Sequence, residues 1–221
     1  MLAIKEISPA ERLKKRLRYH PVRVFTYLIL LGISSAFLTL VFCYFATTAG
    51  SVWNKFTLPE IFHANTVIIL ASSYTAWQMR RANLRDDHAG YKTALLITAL
   101  LGVAFTAFQI VGWRELLARG IGFQNNISGS YLYLISGLHL LHLLVGVGFL
   151  LWFLLRAYVV DGDAYKSLIF ETDPIAKLKI EMMGLYWHFV DGLWIFLYLC
   201  FMVALYLLPS SMDGWFTHPF K

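Results

Sequence analysis

The sequence predicts an all-α integral membrane protein: a bundle of five transmembrane helices, with a cytoplasmic N-terminus and a C-terminus on the outer, periplasmic side. Three observations predict it. Of 221 residues, 58% are hydrophobic and 14% charged, against about half and about a quarter in soluble domains. The apolar residues form continuous runs of about 20, the length that spans ~30 Å of hydrocarbon at ~1.5 Å per residue. Lys and Arg segregate to one set of loops, as in membrane proteins with a basic cytoplasmic side. Continuous runs also argue against a β-barrel, whose strands alternate apolar and polar residues.

The chain divides into a basic N-terminal segment (1–23), a five-helix domain (24–208) and a short outer tail (209–221). In the N-terminal segment Ser8, Pro9 and Glu11 form a helix start, with a capping hydroxyl, a first-turn proline and a carboxylate that reaches back. Leu13 and Leu17 share one face among five basic residues, so this is a short interfacial helix, ended by His20-Pro21. No cleavable signal is expected, because the first apolar run is too long for one. The spans fall at roughly 24–46, 61–79, 93–113, 131–155 and 183–208. Thr172-Asp173-Pro174 reads as a helix cap with proline in the first turn. The fifth helix is therefore expected to start near Pro174, about two turns before the bilayer.

Orientation follows from the short loops. Fifteen of the nineteen Lys and Arg residues lie in the N-terminal segment and in the second and fourth loops. That side is cytoplasmic, which sets the N-terminus in and the C-terminus out. The net charge of +6 points to lipid headgroups rather than nucleic acid. Cys43 and Cys200 sit inside apolar runs and read as small buried hydrophobes. Gly137, Gly146 and Gly148, and the stretch Gly32 to Ala36, read as close-packing positions.

Ionisable residues inside membrane spans are costly and point to function or to paired helix contacts. His139 and His142 lie three apart on the fourth run. His188 and Asp191 do the same on the fifth, flanked by Trp187 and Trp194. Trp113 and Glu115 mark the outer end of the third. Three readings stand at this point: haem held between facing histidines, a proton or ion path, and polar contacts in which His188 and Asp191 satisfy each other and a neighbouring helix. No phosphate-binding glycine loop, HExxH, paired CxxC or Gly-x-Ser-x-Gly is present.

Tyr186-Trp187-His188-Phe189-Val190-Asp191 with Trp194, and Gly137-x-His139-x-x-His142-x-x-x-Gly146, closely resemble the last-helix and fourth-helix signatures of cytochrome c oxidase subunit III. Ser128 to Tyr131, Gln109 to Trp113 and Glu181 also fit. The resemblance is good over the third to fifth spans and weak over the first two. It implies a non-redox accessory subunit of a proton-pumping haem-copper terminal oxidase in a bacterial cytoplasmic membrane. Its partners would be the catalytic subunit I, subunit II and membrane phospholipids. Haem and copper would reside in those subunits, with no cofactor, metal or catalytic residue on this chain. Trp113, Glu115, His139, His142, Trp187, His188, Asp191 and Trp194 would then be helix or lipid contacts. Two features depart from the larger members. They carry two more N-terminal helices beyond a lipid-filled cleft, whereas five spans match the short bacterial form. They often carry a buried Glu in the helix matching the first span, and Leu31 to Ala36 has none.

Asp86, Asp87 and His88, on the basic side, could hold protons near the partner's uptake entrance, against the plain reading of a solvated loop. Two competing functions remain. One is a stand-alone b-type cytochrome using His139, His142 and His188; the other is a structural subunit of another respiratory complex.

Overall fold

The computed structural model describes residues 17–50, 56–123, 127–161 and 173–207. Of the interfacial helix expected from Ser8 onward only the end is described: Leu17 and Arg18 are helical and the helix breaks at His20 before Pro21, as expected; the rest of that helix and the tail from residue 209 lie outside the described residues. Five long helices make up the described chain: α1 (Pro21–Gly50), α2 (Ile61–Leu84), α3 (His88–Ala118), α4 (Ile127–Asp161) and α5 (Pro174–Met202), which ends in a wider π-type turn, Val203–Leu207.

Local chemistry sets the helix starts. Pro21 opens α1, and His20 Nδ1 accepts the Val22 N–H at 3.3 Å. Asp87 caps α3 by accepting the Gly90 N–H at 2.9 Å. Asp173 caps α5 by accepting the Ile175 N–H at 2.8 Å, with Pro174 in the first turn. The early start expected for the fifth helix is therefore observed. Asp86, at φ 55°, makes the tight turn between α2 and α3, a conformation in which Asp is one of the tolerated residues.

Helices α2 to α5 form a four-membered ring in which sequence neighbours pack and α5 closes back onto α2. α1 lies outside the ring, against α4 and α5, and its membrane window is the least buried of the four apolar helices. The core is aromatic: Trp187, Trp194, Tyr44, Phe37, Phe62 and Phe105 are fully buried. At Gly102 on α3 an added Cβ would stand 2.8 Å from Val147 and 2.9 Å from Trp187, so only glycine lets α3, α4 and α5 meet there. Gly146 is similarly close to Tyr186 and Trp187, at 3.1 Å. Gly32 and Gly148 have nothing within 4 Å, and Gly137 makes only ordinary contact. The close-packing expectation thus holds for Gly146 and fails for Gly32 and Gly148, which face away from neighbouring helices.

Four of the helices are long and apolar enough to cross a membrane. α2 falls outside that group although, at 24 residues, it reaches ~36 Å. The reason is its content of Asn65, Ser72, Ser73, Gln78, Arg80 and Arg81, several of which are the partners of α5.

Candidate functional site

The polar residues singled out in the sequence fall along the seams of this bundle. α5 turns its signature residues onto α2. Trp187 Nε1 donates to Ser72 Oγ at 3.2 Å, and Trp194 Nε1 donates to Thr66 Oγ1 at 3.2 Å. Ser72 Oγ lies 3.3 and 3.4 Å from the two carboxyl oxygens of Asp191. His188 Nδ1 pairs with Ser73 Oγ at 2.8 Å. Among the described residues no direct contact joins His188 to Asp191, the mutual pairing the spacing suggested; both engage serines on α2, the neighbouring-helix half of that reading, and Ser73 serves Asp191 as well as His188. Nearby, Thr75 and Thr98 join α2 to α3 at 2.8 Å, and Asn65 Nδ2 donates to Gln109 Oε1 at 3.0 Å.

The two α4 histidines diverge. His139 is fully buried, with its ring 5.8 Å from Phe105 and 5.2 Å from Trp194. Neither of its ring nitrogens has a hydrogen-bond partner among the described residues. His142 donates from Nδ1 to Leu138 O at 2.7 Å and meets Phe37 of α1 edge-on at 5.7 Å. Its own carbonyl accepts the Tyr186 hydroxyl at 2.8 Å. Residues three apart differ by 60° around a helix, enough for each to address a different neighbour. His139, His142 and His188 thus face α3 and α5, α1, and α2 respectively, rather than one shared site. Among the described residues no three His, Cys, Asp or Glu groups converge as metal ligands, and Cys43 and Cys200 are free thiols.

Near the C-terminal end of α3, Trp113 Nε1 donates to Ser136 Oγ at 3.0 Å, joining α3 to α4. The Tyr133 hydroxyl is shared between the carbonyls of Trp113 and Ile121. Glu115 pairs with Arg119 one turn later, and Arg119 also reaches Thr57 O at 3.2 Å. His63 pairs with the Tyr198 hydroxyl, a further α2–α5 contact.

At the opposite end, Glu181 receives Arg23 Nη2 at 3.2 Å and Arg80 Nη2 at 3.5 Å, tying α1, α2 and α5 together. Lys177 Nζ pairs with Asp86 at 2.8 Å. Asp87 is the α3 cap. Both candidate proton-holding carboxylates thus also hold the α2–α3 turn, and His88 opens α3 beside them. Ser72, Ser73, Thr66 and Asn65 went unrecognised in the sequence. The available signal was their seven-residue spacing, 65/66 to 72/73, on one helix.

A family model described as cytochrome c oxidase subunit III matches residues 22–206, which takes in all five helices. The chain belongs to the cytochrome c oxidase subunit III family. Among relatives, the chain is 31% identical over 157 residues to cytochrome c oxidase subunit 3 of Papio hamadryas, covering 71% of this chain and 54% of that protein. It is 32% identical over 147 residues to that of Drosophila melanogaster (66% and 50%). It is 32% identical over 149 residues to that of Emericella nidulans (66% and 48%). The chain spans about half the length of the curated relatives it matches. It is accordingly a multi-pass membrane protein of a respiratory-oxidase family, and the α5 signature lies within the matched region.

Proposed function

We propose that this chain is the non-redox accessory subunit of a proton-pumping haem-copper terminal oxidase, seated in a bacterial cytoplasmic membrane. It packs on the catalytic subunit, with subunit II in the same complex. It holds structural phospholipid and supports proton uptake and the working lifetime of the enzyme. Haem and copper belong to the partner subunits. The observation that carries this reading is the use of the signature residues. Trp187, His188, Asp191 and Trp194 all hydrogen-bond to α2 side chains, which suits helix contacts better than cofactor ligation.

All five helices cross the bilayer in this reading, with the N-terminus inside. α2 packs lengthwise on α3 and α5. Its polar side chains meet those helices, while Val67, Leu70, Tyr74 and Trp77 are exposed as an apolar outer stripe. That distribution suits a span whose neighbours satisfy its polar groups.

An optical spectrum tests the assignment. The chain purified alone should show no Soret band, and the complex captured through it should show one. A Soret band from the isolated chain, lost in His139→Leu or His188→Leu, would instead establish a b-type cytochrome.

A further inference from the structure

The four-helix ring carries a polar layer in its interior. Asn65 of α2, Gln109 of α3 and His139 of α4 are fully buried, and helix register sets them at one level. Trp113 meets Ser136; eleven residues earlier on α3, Gly102 stands against Val147, eleven residues later on α4. The same antiparallel register puts His139 opposite Ile110, beside Gln109. Asn65 Nδ2 donates to Gln109 Oε1 at 3.0 Å, which brings α2 to that level. Trp194 of α5 completes the layer. Its indole N–H bonds Thr66, next to Asn65, and its ring lies 5.2 Å from that of His139. The His139 ring also meets Phe105 at 5.8 Å, and Phe105 and Gln109, four apart, share one face of α3.

Five buried side-chain atoms lack a hydrogen-bond partner among the described residues, and four of them belong to this layer: Asn65 Oδ1, Gln109 Nε2 and both ring nitrogens of His139. Other seams of the ring are paired, as Trp113 is with Ser136, Trp187 with Ser72 and Thr75 with Thr98. Leaving a buried polar atom unpaired is costly, so four at one level point to a shared occupant. The donor and acceptor set fits water. Asn65 Oδ1 accepts, Gln109 Nε2 donates, and a neutral imidazole offers one donor and one acceptor. A water that donates to Asn65 Oδ1 and to the unprotonated nitrogen of His139, and accepts from Gln109, makes three bonds, the usual number for a buried water. None of Asn65, Gln109, His139 and Trp194 carries a fixed charge, which suits a neutral occupant over an ion. Glu60 and Arg114 stand five residues away on α2 and α3, ~7.5 Å nearer the helix ends, so the way in for water is short.

We propose that ordered water occupies this layer and bridges Asn65 and Gln109 to His139. α2 and α4 lie diagonally across the ring and do not pack side by side, so the water supplies a polar link between them. The site concerns the ring interior alone and does not depend on assembly with an oxidase.

X-ray hydroxyl-radical footprinting of the full-length chain, alone or in its complex, in heavy-oxygen water tests it. Radiolysis of a bound water oxidises the side chains around it even inside a core. Wild type is expected to take up heavy oxygen at His139 and Trp194, while Phe37 and Phe201, as deeply buried, stay unlabelled. His139→Leu is expected to lose the Trp194 label and to lower the melting temperature. His139→Gln, which keeps a donor and an acceptor, is expected to retain the label. No label at His139 and Trp194 in wild type overturns the proposal. So does a Trp194 label that survives His139→Leu undiminished, or a melting temperature raised by His139→Leu, which would mean that the two nitrogens are buried dry. Should His139→Leu fail to fold, the wild-type label and its retention in His139→Gln decide alone.

Discussion

At the α2–α5 seam one hydroxyl serves several partners. Ser72 Oγ contacts Ile69 O at 3.0 Å and the Asp191 carboxyl, and accepts the Trp187 indole N–H. Its removal strands a buried indole donor and leaves the buried Asp191 carboxyl to Ser73. Ser72→Ala is therefore expected to destabilise the fold by ~1–3 kcal/mol, the cost of unsatisfied buried groups. Ser73→Ala, which releases the half-buried His188 but leaves Asp191 its bond to Ser72, should cost less, about 0.6 kcal/mol per interhelical hydrogen bond in a membrane protein. Thermal unfolding in detergent compares the two; equal losses would contradict the central place of Ser72. These serines were hard to read from the sequence for a physical reason. Ser34, Thr39 and Thr106 bond backward to carbonyls of their own helix four residues earlier. A hydroxyl in a membrane helix can satisfy itself this way without any neighbour, so its presence does not reveal a seam. Asp191 and the two indoles bond across to α2 instead, and the sequence did pick them out. At the turn between α2 and α3, Asp86→Asn with Asp87→Asn removes an ion pair and a cap carboxylate and should slow proton uptake by the complex. Unchanged turnover in sealed vesicles would remove that role from the two residues.

Helix starts were legible because their chemistry is local: Asp173-Pro174 names the first turn of α5 whatever surrounds it. Which glycines meet a neighbour was not legible, since that depends on which face each helix presents. Gly148 and Gly102 both sit in apolar runs, yet the first faces open space and the second sits against Val147 and Trp187. Gly102→Ala is expected to destabilise by ~1–3 kcal/mol through overpacking, while Gly148→Ala should be neutral or slightly stabilising, because alanine is the better helix former. Chemical or thermal unfolding of the two variants distinguishes them, and a neutral Gly102→Ala would contradict the close approach of α3, α4 and α5. α2 shows the opposite limit of sequence reading. Its run looked like a span, but its polar content sets it apart from the other four helices, and the packing explains part of that content: Asn65, Ser72, Ser73 and Arg80 meet α3 or α5.

For the whole molecule, the proposed topology sets the basic side in the cytoplasm and takes all five helices across the bilayer. Single cysteines introduced by Glu60→Cys and Arg114→Cys should react with a membrane-impermeant thiol reagent from outside, and Arg85→Cys only from the cytoplasmic side. Labelling of Glu60→Cys from the cytoplasmic side would show that α2 does not cross. The three intramembrane histidines face different neighbours along the seams of the bundle, the arrangement the proposed function expects of helix contacts. The most direct test of the account is the native mass of the assembly captured through a tag on this chain and gently solubilised. The account predicts that the chain is released from a larger complex at its apoprotein mass, while haem leaves with a different polypeptide. Release of this chain carrying haem, or its recovery with no haem-bearing partner, would contradict it.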